Sequence, residues 1–267
     1  MSLLKKAVNQ QAAAKLGLYG EAGSGKTRTS TNIAIGLSKA SGGLPIAFFD
    51  TEGGSDFMIP LCEAAGVELL VAKARAFAQL MAFMKEARAA NAVIIVDSIS
   101  HTWDDLKESY EKELKRTKGL EIWDWGKIKP EWRTFTDEFL TSPCHAIVCG
   151  RAAAIYEQVY NEQRGKDEAQ VVGSRMKTEK ETAYEPSLLI EMERRIRRSD
   201  GGYDHVAIVM KDRADVMDGR EFKNPTFEDF KPHFDVLNIG GEHKPTDTSG
   251  DSRHLFTSPD SAINRKR

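Results

Sequence analysis

The stretch KLGLYGEAGSGKT, residues 15–27, decides the fold class. An apolar run ends at Gly20, the eight residues that begin with this glycine (20–27) fit the pattern GxxxxGK[ST], and a helical pattern continues from about Gly25 to Lys39. A strand that passes through such a turn into a helix points several backbone N–H groups at one anion. The stretch therefore predicts a phosphate-binding loop between the first strand and the first helix of an α/β domain.

The loop supplies the groups that the phosphates of a nucleoside triphosphate require. The amine of Lys26 is suited to the β and γ phosphates, and the hydroxyl of Thr27 is suited to Mg²⁺. The predicted nucleotide contacts are Gly20, Glu21, Ala22, Gly23, Ser24, Gly25, Lys26, Thr27 and Arg28.

Apolar runs alternate with helical patterns over the first 150 residues. The further runs are PIAFFD (45–50), VELLVA (67–72), NAVIIVDS (91–98) and CHAIVCG (144–150). Near-continuous apolar strands between helices are typical of a parallel sheet covered on both faces. We predict an α/β fold with a mostly parallel twisted sheet, helices on both faces, and a C-terminal β-hairpin extension, SLLIEMERRIRR (187–198) and YDHVAIVMKDR (203–213).

Composition suggests how the chain is divided. We predict an N-terminal segment (1–14), an ATPase-type core (15–239) and a flexible tail (240–267) that is rich in Gly, Ser, Thr and Pro. Within the core, residues 151–185 are polar and rich in both charge signs, which indicates a long loop or hairpin with a possible nucleic-acid contact.

Two carboxylates complete the predicted phosphate site. Asp97 ends an apolar strand, where it is placed to hold Mg²⁺ together with Thr27. Glu52 follows the tip of the strand after the loop helix, and a glutamate there can activate the water that attacks the γ phosphate. ATP and Mg²⁺ are thus the predicted ligands.

The charge, the cysteine content and the absence of long apolar runs exclude several classes of protein. Lys plus Arg number 38 against 40 for Asp plus Glu, so a polyanion needs a local patch. The three cysteines fit neither a disulfide framework nor a metal pair. No 18-residue apolar window and no signal peptide are visible, so we expect a cytoplasmic chain with no membrane partner.

The motifs LGLYGEAGSGKT, IAFFDTEGGSD and AVIIVDSIS resemble the ATPase core of the RecA family. DTEGG, WDWGKIKPEW and TEKETAYEPSLLIEMER look more narrowly like bacteriophage ATP-binding proteins, including single-strand annealing proteins. The resemblance implies an ATPase that acts on single-stranded DNA in phage-type recombination or annealing. It implies the host cell cytoplasm if the chain is phage-encoded, and a possible single-strand-binding or other replication protein as partner.

The same resemblance assigns roles to three basic residues. Arg151 stands where the family has a polar residue that senses the γ phosphate, although RecA-type recombinases usually carry glutamine there. Lys211 and Arg213 resemble the basic pair that RecA relatives extend to a neighbour's ATP, which implies a homo-oligomer with shared ATP sites.

The residues themselves leave other points open. A local basic patch is formed by Arg175, Lys177 and Lys180. A cluster of tryptophans is formed by Trp123, Trp125 and Trp132, and packing of these side chains against the sheet is favoured over base stacking. One alternative function is a P-loop kinase of a small acceptor, with residues 151–180 as its lid. Another is a non-catalytic, ATP-gated loader.

Overall fold

The computed structural model describes residues 6–115, 119–161 and 164–244, and within them the chain forms nine strands and six helices. The strands are β1 (Lys15–Gly20), β2 (Ile46–Asp50), β3 (Leu69–Lys73), β4 (Val93–Asp97), β5 (Ala146–Asn161), β6 (Lys166–Met176), β7 (Leu188–Ile196), β8 (Tyr203–Asp212) and β9 (Glu221–Lys223). The helices are α1 (Lys26–Ala40), α2 (Ile59–Ala65), α3 (Phe77–Ala89), α4 (Ile99–Glu113), α5 (Trp125–Thr141) and α6 (Phe227–Val236).

The strands form one sheet in the order β3-β2-β4-β5-β1-β7-β8-β9, with β6 paired only to β5. The first six strands of that order are parallel, while β8 and β9 are antiparallel. Every residue of β1, β2 and β4 is buried, which explains why their sequences are apolar except for the charged residue at one end of each. The predicted α/β class, the mostly parallel sheet and the C-terminal hairpin of β7 and β8 are confirmed.

The two faces of the sheet carry separate cores. Helices α1, α2 and α6 cover one face with side chains such as Leu37, Cys62 and Phe230. Helices α3, α4 and α5 cover the other, where Leu80 and Trp132 are buried. Each such apolar side chain stabilises the fold by roughly 1.5–3 kcal/mol through burial.

Helix α6 was not anticipated from the sequence. It is anchored by Phe227, which packs so close to Gly36 of α1 that a Cβ there would lie 2.0 Å from the ring. It is also anchored by His233, which is fully buried and lies 3.0 Å from the Ser187 hydroxyl and 2.6 Å from an Asp212 carboxylate oxygen. This polar network ties α6 to the start of β7 and the end of β8.

A long hairpin leaves the sheet where β5 passes Arg151. Residues 152–161 of β5 pair with β6 in an antiparallel ribbon, and Tyr156, Tyr160 and Val171 on it are each more than 60% exposed. The polar segment expected at 151–185 is thus largely ordered strand. Most of the predicted tail, residues 245–267, lies outside the described residues. In the described part of the chain, no helix has the length and apolar character needed to cross a membrane.

Candidate functional site

The phosphate-binding loop lies where β1 ends and α1 begins. Gly23 and Gly25 have φ values of +73° and +94°, which favour glycine, and a Cβ on Gly25 would lie 2.9 Å from His205 Nδ1. Lys26 Nζ donates to the carbonyls of Gly20 and Glu21, each at 2.9 Å. The loop is therefore closed by its own lysine, whose amine lies beside the backbone that would bind phosphate.

The side chain of Ser24 supports a ligand in this loop. It is fully buried, and its hydroxyl has no hydrogen-bond partner among the described residues. A buried hydroxyl without a partner is uncommon in folded proteins, so this one fits a site whose phosphate oxygens would accept from it.

Thr27 and Asp97 meet at the carboxyl ends of the strands. Thr27 Oγ1 donates to Asp97 Oδ2 at 2.5 Å, which joins the start of α1 to the end of β4. Burial raises the pKa of Asp97 to about 6, so the carboxylate is charged at neutral pH. A hydroxyl and a carboxylate are the hard oxygen ligands that Mg²⁺ prefers.

A nucleotide would have to complete any such metal shell. Among the described residues, no group of three or more His, Cys, Asp or Glu side chains could hold a metal ion. Mg²⁺ usually keeps waters and substrate phosphates as ligands and takes one or two from the protein. The pair of Thr27 and Asp97 fits that pattern.

Asp50 shapes the tip of β2. Its carboxylate accepts hydrogen bonds from the backbone amides of Glu52, Gly53 and Gly54 at 3.0, 2.7 and 3.2 Å, and from the amide and hydroxyl of Ser55. Burial raises the pKa of Asp50, but these hydrogen bonds outweigh burial and hold that pKa below its ordinary value. Asp50 therefore fixes the turn that carries Glu52, and the turn reaches Thr27, because a Cβ on Gly54 would lie 3.2 Å from the Thr27 methyl carbon.

Glu52 is held by a neighbouring cation. Arg151 Nε and Nη2 each lie 3.0 Å from Glu52 Oε1, and His101 Nδ1 lies 3.7 Å from the same oxygen. Burial, followed by the charge of Arg151, lowers the pKa of His101, which favours its neutral form. Glu52, predicted from the sequence as the base, is thus paired with Arg151, predicted as the γ-phosphate sensor.

A hydrogen-bond chain joins this pair to both ends of the hairpin. The Ser100 hydroxyl accepts from the backbone amide of Arg151 at 2.9 Å and donates to the carbonyl of Lys177 at 2.5 Å. Lys177 in turn binds Asp104 of α4 at 2.7 Å. The strand that leaves the sheet and the strand that returns are therefore both fixed beside Glu52.

A cavity of about 310 Å³ opens beside the loop, between α1 and the loop before α6. Arg28 and Asn32 line one side, and His205 and Asn224 line the other. His205 Nδ1 is buried without a hydrogen-bond partner in the described chain. Sequence reasoning placed Arg28 here but missed His205 and Asn224, which lie far away in sequence.

Arg194 is a second basic group near the loop that sequence reasoning did not single out. Its Nη1 would lie 3.4 Å from a Cβ on Gly23, and its guanidinium stacks on Tyr203 with 3.6 Å between Cζ and the ring centroid. The run ERRIRR contained a signal, but alternate residues of a strand face opposite ways, so the sequence could not choose among its four arginines.

Lys211 and Arg213 lie at the opposite edge of the sheet, because β8 runs antiparallel to β7. Lys211 Nζ donates to the carbonyls of Tyr184 and Pro186 at 2.6 and 2.8 Å, and Arg213 Nη2 donates to Tyr184 at 2.7 Å. The two side chains point the same way, as expected, but away from the phosphate loop of their own chain. Their contact with a neighbour's nucleotide stays a prediction.

A protein family and a solved structure are similar to this chain. The model of the AAA domain family matches residues 12–214. No curated protein sequence matches the chain. Among solved structures, the chain is similar to a KaiC-like protein from the hyperthermophilic archaeon Pyrococcus horikoshii, with 13% sequence identity, a TM-score of 0.46, and 80% of this chain and 85% of that one covered.

Proposed function

This chain belongs to the AAA domain family and is a nucleotide-binding ATPase domain, and we propose that it hydrolyses Mg-ATP. We propose further, from the resemblance of its motifs to bacteriophage ATP-binding proteins, that it acts on single-stranded DNA in phage-type recombination or annealing. The observation that carries the hydrolytic part is the convergence of three elements at one sheet edge. These are the glycine-rich loop, the pair of Thr27 and Asp97 at 2.5 Å, and Glu52 on a turn that touches Thr27.

ATP would occupy the loop and the adjoining cavity. Its phosphates would take backbone amides of residues 20–27, the Ser24 hydroxyl and the Lys26 amine, which would exchange the two loop carbonyls for phosphate oxygens. Its base would enter the 310 Å³ cavity, which Arg28, Asn32 and His205 line. Arg194 is close enough to the loop to add a second positive charge.

Hydrolysis would depend on Glu52 as the group that orients and deprotonates the attacking water. Mg²⁺, held by Thr27 and Asp97, would supply charge neutralisation at the phosphates when bound. The Arg151 guanidinium forms an ion pair with the Glu52 carboxylate. A bound triphosphate would compete with Glu52 for this guanidinium. Release of Glu52 and engagement of Arg151 would then occur together.

The nucleic-acid part is supported by the hairpin. Its ribbon presents Tyr156 and Tyr160 to solvent, and both of its ends are tied to Arg151 by Ser100. Exposed aromatic side chains are what single-strand-binding surfaces use to stack bases. Assembly into a homo-oligomer, in which Lys211 and Arg213 reach a neighbour's nucleotide, belongs to the same proposal, as does contact with a single-strand-binding or other replication protein.

The test is binding of a fluorescent oligo-dT strand by anisotropy, with ATP, with a non-hydrolysable analogue and without nucleotide, across roughly 50 to 300 mM salt. We expect binding that depends on nucleotide and weakens with salt, and light scattering that reports a larger particle when ATP is present. Absence of binding at the lowest salt in all three states contradicts the DNA part, whereas turnover of ATP is measured separately.

A further inference from the structure

An aromatic and basic cleft lies beside the returning end of the hairpin. Its volume is about 420 Å³, and it is bounded by Trp103 of α4, Trp125 of α5 and residues at and just after the end of β6. In the sequence the tryptophan cluster and the basic patch are separate features, but the fold brings residues of both to the walls of this cleft.

The aromatic wall is rigid. The rings of Trp103 and Trp125 stack with 6.1 Å between centroids, and buried Trp132 meets Trp103 edge-on at 4.9 Å. Trp132 packs on the sheet as favoured from the sequence, whereas Trp125 is half-buried and lines the cleft. A fixed, partly exposed indole can stack on a flat ring without further loss of side-chain freedom.

The opposite wall is positively charged. Arg175 and Lys180 are exposed, and neither forms an ion pair or a side-chain hydrogen bond with any described residue. The cleft's one carboxylate, on Glu179, is already paired with Lys129 at 3.0 Å. Two uncompensated cations therefore face the cleft, although the chain as a whole is slightly acidic.

The cleft also contains an unsatisfied hydroxyl. Thr178 is 6% exposed, and its Oγ1 has no hydrogen-bond partner in the described part of the chain. A buried hydroxyl of this kind, on the wall of a cavity, is explained by a ligand that offers it a partner.

We propose that this cleft holds one unpaired base of a single-stranded DNA, stacked on Trp125, with Arg175 and Lys180 on the flanking phosphates. The inference rests on the proposed function, since it names a further surface, beside the hairpin, that would contact the DNA. An aromatic platform beside free cations is the chemistry that recognises single strands. An acidic peptide could use the cations but would gain little from a flat indole.

The experiment compares oligo-dT affinity for the full chain and for matched variants at fixed nucleotide and salt. Trp125→Ala should weaken binding roughly 5- to 150-fold, the range measured for a lost base stack, while Trp125→Phe should retain most of it. The control is Trp123→Ala, because Trp123 is 69% exposed and does not line the cleft.

The charge contribution is read from the salt dependence. The double variant Arg175→Ala with Lys180→Ala should reduce the slope of log affinity against log salt by about 1.4, which corresponds to two phosphate contacts on a single strand. Lys127→Ala, an exposed lysine of α5 outside the cleft, should leave it unchanged. This pair of variants keeps the test decisive if Trp125→Ala loses stability in a melting control.

The outcomes separate the two proposals. If the native chain binds oligo-dT but the cleft variants bind equally well, the cleft is not the site and the proposed function stands. If the native chain binds no DNA, the inference and the DNA part of the proposed function both fail. If poly-glutamate binds with the same dependence on Arg175 and Lys180 and DNA does not, the cleft is a peptide site and the inference is overturned.

Discussion

Lys15 gives a quantitative test of the packing at the start of β1, the end of that strand opposite the phosphate loop. Lys15 is the first residue of β1, and its side chain is 1% exposed. Its Nζ donates to the carbonyls of Ser142 and Cys144 at 2.8 Å each. Burial lowers the pKa of this amine from 10.5 to about 7. The folded chain therefore releases a proton that the unfolded chain keeps between those two pH values.

The sign and size of the effect follow from this difference. Since the unfolded state binds the extra proton, the free energy of unfolding rises with pH, by at most about 1.4 kcal/mol per pH unit. From pH 7 to pH 10 the rise contributed by this one group is about 3–4 kcal/mol. Replacement of Lys15 by Met removes the titrating group and keeps an unbranched side chain of similar length.

The assay is urea unfolding at several pH values between 7 and 10, for the native chain, Lys15→Met and the control Lys39→Met. Lys39 lies exposed in the last turn of α1. We expect the free energy of unfolding to rise with pH in the native chain and in the control. Lys15→Met should lack this rise, whatever the absolute stability of that variant. Parallel curves for the native chain and Lys15→Met would refute the assignment of a depressed pKa to this buried amine.

Three further substitutions test the site. Gly25→Ala, which places a methyl group in a left-handed position 2.9 Å from His205 Nδ1, should lower ATP affinity at least tenfold in calorimetry, and unaltered affinity would show that the loop tolerates a side chain. Asp97→Asn should weaken the Mg²⁺ dependence of nucleotide binding about tenfold or more, and an unchanged Mg²⁺ titration would assign the metal elsewhere. Arg151→Ala should reduce ATP turnover at least tenfold with ATP affinity held within about threefold, whereas unchanged turnover would make its pairing with Glu52 purely structural.

Features that depend on a short continuous stretch of residues could be predicted from the sequence. The loop at 20–27 and the carboxylate at Asp97 were predictable because a glycine pattern and an apolar strand each define their own geometry. The sequence also predicted Glu52 at the same sheet edge as the loop, since parallel strands end at one edge. The structure adds that Asp50 holds the turn and that Arg151 holds Glu52.

Features that depend on tertiary pairing were not predictable. His205 and Arg194 reach the loop only because β7 pairs with β1 and β8 pairs with β7. The ribbon of β5 and β6 is exposed on both faces, so it lacks the apolar contrast by which strands are recognised. Helix α6 did carry a signal, in the capping box of Thr226 and Asp229 before an apolar pattern, but a proline within it argued against a helix.

The most direct test of the central claim is ATP turnover by Glu52→Gln. The substitution keeps the shape of the side chain and removes its ability to accept a proton. We expect turnover to fall about a hundredfold or more, with ATP affinity within about threefold of the native value. Glu63→Gln, at an exposed position of α2, should match the native chain in both measurements. Turnover by Glu52→Gln within tenfold of native would contradict the role of Glu52 and move the base elsewhere.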